Sequence, residues 1–184
     1  MSTYKLAFVV GSLRQDSYNK ALAQAVARLF PEEFKVEFVG ISDLPLYDTD
    51  KENDPTPAVQ KFKQSIKQAD AVIFFTPEYN RSIPGVLKNA LDIGSRPYGE
   101  SVWGGKPAMI AGVSIGAIGT AVAQAHLRGV LGFLDMPTMG QPELYFQYKE
   151  GMFDEQHQII NEGTKQFLQK WVSSCVSWVK KMAV

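Results

Sequence analysis

The 184-residue chain carries 19 Lys and Arg against 19 Asp and Glu, for a net charge of zero, and is 45% hydrophobic and 21% charged. Balanced charge argues against a dedicated nucleic-acid binder, whose affinity rests on clustered cations. No apolar run reaches the ~20 residues that span a bilayer, and a single cysteine excludes an intramolecular disulfide.

The length suits one domain, residues 1–184, with a sizeable core. Its opening residues, MSTYKLAFVVGS, lack the basic head and small-residue cleavage site of a secretory leader, so a cytoplasmic protein is expected. Lys5 to Val10 (KLAFVV) is a short hydrophobic run that predicts a buried strand. It feeds a loop, Gly11 to Lys20 (GSLRQDSYNK), and then a helix from Ala21 to Phe30, where Leu22, Ala25, Val26, Leu29 and Phe30 recur at helical spacing. A strand-to-helix loop ends on unpaired backbone N–H groups, which attract anions. Ser12, Ser17, Asn19 and Arg14 supply polar groups beside them. The loop has neither the three glycines of a dinucleotide fingerprint nor the Gly-Lys-Ser/Thr of an NTP-binding loop, so it suits a single terminal phosphate. Simple helix capping by Ser17 or Asn19 is the competing reading, and Arg14 favours phosphate.

Phe34 to Ile41 alternates apolar and polar residues as a second strand. Ser42 to Pro57 is a polar connection with an apolar knuckle at Leu44–Tyr47, and Val59, Phe62, Ile66 and Ala69 mark an amphipathic helix. Ala71 to Phe75 is continuously apolar, a strand buried on both faces. It runs into Thr76–Ile83, and Pro84 opens a helix ending near Gly94. Pro107–Val113 predicts a fourth strand, Ser114–Thr120 a glycine-rich loop, Ala121 to about Leu131 a helix, and Met136–Met139 a short fifth strand. A broad apolar stripe from Ile160 to Met182 predicts the last helix.

Five strands alternating with five helices describe an α/β, doubly wound parallel sheet with helices on both faces. Five strands fit the flavodoxin-like order 2-1-3-4-5. Loops 11–19, 76–83 and 114–120 all leave the carboxyl ends of strands, so they are expected to converge on one crevice at the switch point. His126, His157 and Cys175 fall outside it, with Cys175 on the core stripe, and no spacing suggests a metal site or a nucleophile–base pair. A crevice without its own acid, base or metal borrows reactivity from a cofactor. A flat ring ending in one phosphate fits. Pro77-Glu78-Tyr79-Asn80 offers a rigid turn and an aromatic face, and Ser114 and Gly116 let backbone approach the ring edge. Flavin mononucleotide has that shape.

Three motifs carry a family likeness: Gly11-Ser12-Leu13-Arg14-x-x-Ser17-x-Asn19, Thr76-Pro77-Glu78-Tyr79-Asn80-x-Ser82-x-Pro84-Gly85-x-Leu87-Lys88-Asn89-Ala90-x-Asp92, and Gly105-Lys106-Pro107. With them the chain resembles the NAD(P)H-dependent FMN reductases, nearest to the soluble quinone and chromate reductases. The resemblance implies noncovalent FMN whose phosphate meets Ser12, Arg14, Ser17 and Asn19, framed by Leu13, Gln15, Asp16 and Tyr18. Glu78, Tyr79, Asn80 and Arg81 would line the flavin ring, with Ser114 at its pyrimidine edge. Asp16 departs in kind, since an acid beside a phosphate repels it, and Arg81 stands where relatives vary. The likeness further implies NADPH or NADH as reductant and a ping-pong mechanism without a catalytic side chain. The acceptor would be a small molecule: a quinone, an azo dye, a metal oxyanion such as chromate, or free flavin. It also implies a homodimer or homotetramer. The alternative is a flavodoxin-type one-electron carrier without NAD(P)H activity, against which the zero net charge argues, because such carriers dock through acidic surfaces.

Overall fold

The structure, a computed structural model, describes residues 3–182. Five strands, β1 (Tyr4–Val10), β2 (Phe34–Phe38), β3 (Ala71–Phe75), β4 (Ala108–Ser114) and β5 (Leu144–Gln147), form one sheet in the order β2-β1-β3-β4-β5. All four pairings are parallel. The helices are α1 (Tyr18–Ala27), α2 (Pro57–Gln68), α3 (Gly85–Gly94), α4 (Ala121–Phe133) and α5 (Glu162–Met182).

Side chains alternate across each strand and so build two cores. On one face Val9, Val72, Phe74 and Ile110 pack against Phe62 and Ile66 of α2, Leu87 and Leu91 of α3, and Leu127 and Leu131 of α4. On the other, Phe8, Ile73, Phe75, Met109 and Val113 meet Leu22 and Val26 of α1 and Leu168, Trp171 and Cys175 of α5. Every residue of β3 is buried, as a central parallel strand covered by helices on both faces requires. The predicted architecture and strand order are the observed ones.

The fifth strand lies elsewhere than expected. Met136–Met139 touches β4 at one bridge, Thr138 to Ala108, and the edge strand is Leu144–Gln147, paired with Ala111–Ser114. Pro137 contributes only its carbonyl, which accepts from Ala108 N–H at 2.8 Å, and the Gly140-Gln141-Pro142 stretch interrupts the edge. β4 is thus covered in two pieces, the second supplying Leu144 to the core. The first helix also starts earlier than its apolar period suggests. Ser17 takes the N-cap position, its Oγ accepting from Lys20 N–H at 3.3 Å.

Candidate active site

The three loops do meet beyond the carboxyl ends of β1, β3 and β4. Gly11 N–H donates to Phe75 O at 2.8 Å, and Thr76 N–H to Ala111 O at 3.0 Å, so the first two loops leave the sheet side by side. Gly112 makes the close approach of the third possible. A Cβ there would lie 2.1 Å from Thr120 Oγ1 and 2.4 Å from Thr76 O, distances no side chain tolerates.

In the first loop Ser12 is half-buried and Leu13, Arg14, Gln15 and Asp16 are exposed, so each is open to a ligand or to solvent. The first N–H groups of α1, those of Tyr18 and Asn19, have no partner within the helix and point out of its N-terminus. Asn19 corrects the expectation for its side chain. It is 3% exposed; its Nδ2 donates to Val113 O at 2.8 Å, and its Oδ1 accepts from Val113 N–H at 3.0 Å. The amide therefore stitches α1 to β4, and only the backbone N–H of Asn19 is left for a phosphate. Ser17 likewise combines capping with its place at the helix mouth. The Arg14 guanidinium lies 5.0 Å over the Tyr18 ring, which stacks on Tyr148 at 3.8 Å and 20°. Tyr148 N–H in turn donates to Ser114 O at 2.7 Å, tying the first loop to the third. Tyr148 was not expected at the site; the aromatic run Tyr145-Phe146-Gln147-Tyr148 was its one sequence signal.

The second loop is built on a tight turn. Tyr79 and Ser82 exchange two backbone hydrogen bonds of 3.0 Å, with Asn80 and Arg81 at φ +52° and +62°, the geometry of a type I′ turn. Pro77 is buried and holds the turn's entry, its carbonyl accepting from Thr76 Oγ1 at 2.8 Å. Glu78 does more than line a ring. Its side chain is 7% exposed, and Oε2 accepts from Val122 and Ala123 N–H, both at 3.1 Å. Thr120, the N-cap residue of α4, makes no side-chain cap bond, so Glu78 caps that helix from another loop. Its Oε1 accepts from Arg81 Nη1 at 3.0 Å. His126 on α4 backs the same turn, with Nδ1 3.1 Å from Ser82 Oγ.

The third loop is cinched by Ser114, whose Oγ donates to Gly119 O at 2.5 Å and accepts from Gly116 N–H at 3.2 Å. Above it lies a groove of about 420 Å³ lined by Glu78, Asn80, Arg81, Ser114, Gly116 and Ile118. A Cβ on Gly116 would meet nothing nearer than Ser114 Oγ at 3.6 Å, so the space over that residue is open. Leu13, Tyr79, Ile115 and Ile118 stand exposed on the three loops, an apolar rim that a flat aromatic ring would cover. These features fit FMN. Unpaired N–H groups, Ser12 and Arg14 suit a phosphate monoester, and an open slot with apolar edges suits the ring. Cys175 is buried in α5, where burial pushes its thiol well above the ordinary range, and it has no part in the site. Among the described residues there is no group of three metal-ligating side chains, and no helix is long and apolar enough to cross a membrane.

The 2-1-3-4-5 sheet is the flavodoxin architecture, and its carboxyl-end loops carry groups that suit a phosphate on the first loop and an open groove between the second and third, a set that fits flavin mononucleotide. The chain belongs to the NADPH-dependent FMN reductase family, matching it over residues 4–151. It is similar to a 2-hydroxy-1,4-benzoquinone reductase of a Burkholderia species, at 52% identity over 180 residues and 98% of each chain. A quinone reductase of Pseudomonas putida is 48% identical over 178 residues, 96% of this chain and 95% of the relative. Among solved structures, the flavoenzyme NAD(P)H:(acceptor) oxidoreductase of Paracoccus denitrificans superposes with a TM-score of 0.94 at 39% identity, over 98% of this chain and 99% of the other. The chain is thus an FMN-dependent oxidoreductase that uses NAD(P)H, and the one-electron carrier reading falls away.

Proposed function

We propose that the protein is a quinone reductase, in which NADPH or NADH and then a small quinone occupy the same face of the slot. The observation that carries this is the groove over Ser114 and Gly116, open on one side and edged by exposed apolar side chains. Bound FMN supplies a ring that takes hydride from dihydronicotinamide and passes two electrons to the acceptor. In the net reaction quinone, NAD(P)H and one proton give hydroquinone and NAD(P)⁺.

The chain's own part is to hold and to orient. The α1 N-terminus, Ser12 and Arg14 fix the phosphate; Asn19 and the Tyr18–Tyr148 stack keep that cradle against β4 and the third loop. The Tyr79–Ser82 turn walls one edge of the slot, and the Ser114–Gly119 loop the other. Among the described residues lining the groove the acid–base candidate is Glu78, whose oxygens already accept from Val122 and Ala123 N–H and from Arg81, so the proton that completes the hydroquinone comes from water. Azo dyes, chromate and free flavin are other small oxidants that the open slot would admit.

The chain works as a homodimer or homotetramer in the cytoplasm. Leu46, Tyr98 and Phe133 are large apolar side chains left almost wholly exposed, which a second copy would cover. Initial velocities at several fixed quinone concentrations test the shared slot. Parallel double-reciprocal lines are expected with either nicotinamide cofactor; intersecting lines would mean that both substrates bind at once and would refute a common face.

A further inference from the structure

We infer that Arg81 makes the slot selective for quinones that carry a negative charge, hydroxyquinones above all; the inference rests on the quinone reading given above. Arg81 and Glu78 are the charged residues lining the groove. The Glu78 carboxylate is already matched by the two N–H groups at the positive end of α4, where the helix dipole amounts to roughly half a charge. Its bond to Arg81 therefore leaves the groove with a surplus of positive charge in a protein whose net charge is zero. Of the guanidinium's five N–H donors, one nitrogen, Nη1, is engaged, and the side chain is 66% exposed.

The backbone sharpens the argument. Arg81 sits at φ +62° in the second central position of a type I′ turn, where glycine and asparagine are favoured and a long side chain is strained. Asn80 meets the preference at the first position; the backbone of arginine at the second does not. A residue held against local preference at the edge of an active site points to a role in that site.

A ring hydroxyl conjugated to a quinone carbonyl is a vinylogous acid, ionised at neutral pH, with its charge shared between two oxygens. One of the two, the ionised ring oxygen, lies beside the neighbouring quinone carbonyl, and a planar guanidinium matches that adjacent pair better than an ammonium does. During turnover the anion takes up a hydride equivalent from NAD(P)H and two protons from water, giving a neutral trihydroxybenzene and NAD(P)⁺. The charge that Arg81 recognises is thus lost on reduction, so the arginine holds substrate more tightly than product.

The test uses the FMN-loaded enzyme and compares kcat/KM for 2-hydroxy-1,4-benzoquinone with that for 1,4-benzoquinone, at the same saturating NADH. An effect on the nicotinamide step cancels in the ratio. In Arg81→Ala the anion-to-neutral ratio should fall about five-fold, equivalent to about 1 kcal/mol, the upper range for an exposed ion pair. Arg81→Lys should keep part of the preference, and the wild-type ratio should shrink as salt rises. Calorimetric titration with benzoate and with benzamide gives a readout without turnover, and benzoate should lose its advantage in Arg81→Ala. An unchanged ratio in Arg81→Ala, with both quinones still reduced by the wild type, overturns the role of Arg81 alone. A wild type that reduces neither quinone overturns the quinone reading and this inference with it.

Discussion

Removing the Glu78 carboxylate should loosen two loops at once, because one side chain caps α4 and clamps the Tyr79–Ser82 turn. The two N–H···O bonds of 3.1 Å to Val122 and Ala123 are the side-chain cap of a helix whose own N-cap residue supplies none. Loss of a cap costs about 1 kcal/mol, and a carboxylate at a partly buried helix N-terminus contributes up to ~2 kcal/mol. The ion pair to Arg81 adds little, since the guanidinium is mostly exposed. Glu78→Ala, which leaves both N–H groups unpaired, should therefore cost about 2–3 kcal/mol, while Glu78→Gln keeps an acceptor oxygen and should cost about 1 kcal/mol. Urea unfolding of the FMN-free proteins measures the stability change, and flavin titration shows whether the slot loosens with it. Equal losses for Gln and Ala, or no loss for either, would refute the capping argument.

Arg14→Ala should weaken FMN binding by about tenfold, the effect of one charge-assisted hydrogen bond, with little change in the unfolding midpoint of the FMN-free protein. An unchanged dissociation constant would take Arg14 out of the cradle. Asn19→Ala should behave in the opposite way, losing about 2 kcal/mol of stability in the FMN-free protein because the Val113 N–H and C=O are left buried and unpaired. Stability equal to wild type, with affinity alone reduced, would restore the side chain to the phosphate. Cys175→Ser should keep NAD(P)H oxidation and cost about 1–3 kcal/mol for a hydroxyl in the core. The wild-type thiol, its ionisation pushed up by burial, should resist alkylation at mildly alkaline pH until the protein unfolds. Rapid labelling of the folded, FMN-loaded protein would contradict that placement.

The elements that could be read from the sequence are those whose signal is local. Ala71–Phe75 is apolar throughout because it is covered on both faces, and Ser17 precedes a helical period that it caps. The three loops could be assigned to one crevice because a parallel sheet sends all carboxyl ends the same way. What escaped depends on distant partners. Nothing near Asn19 announces that Val113 takes both ends of its amide, and nothing near Glu78 announces that it caps a helix beginning 40-odd residues later. Met136–Met139 and Leu144–Gln147 are both short and apolar, and only the span of β4 decides which segment has a full partner. Tyr148 is illegible for a related reason, since its stack on Tyr18 joins residues near opposite ends of the family match.

The central claim is that this chain passes electrons from NAD(P)H to a quinone by way of its flavin, and an anaerobic titration of the purified, FMN-loaded protein tests it most directly. One equivalent of NADPH or NADH, with no acceptor present, should bleach the visible flavin absorbance, and one equivalent of 1,4-benzoquinone should then restore it in full. A flavin that neither nicotinamide bleaches, or one that stays bleached when the quinone is added, would contradict the account.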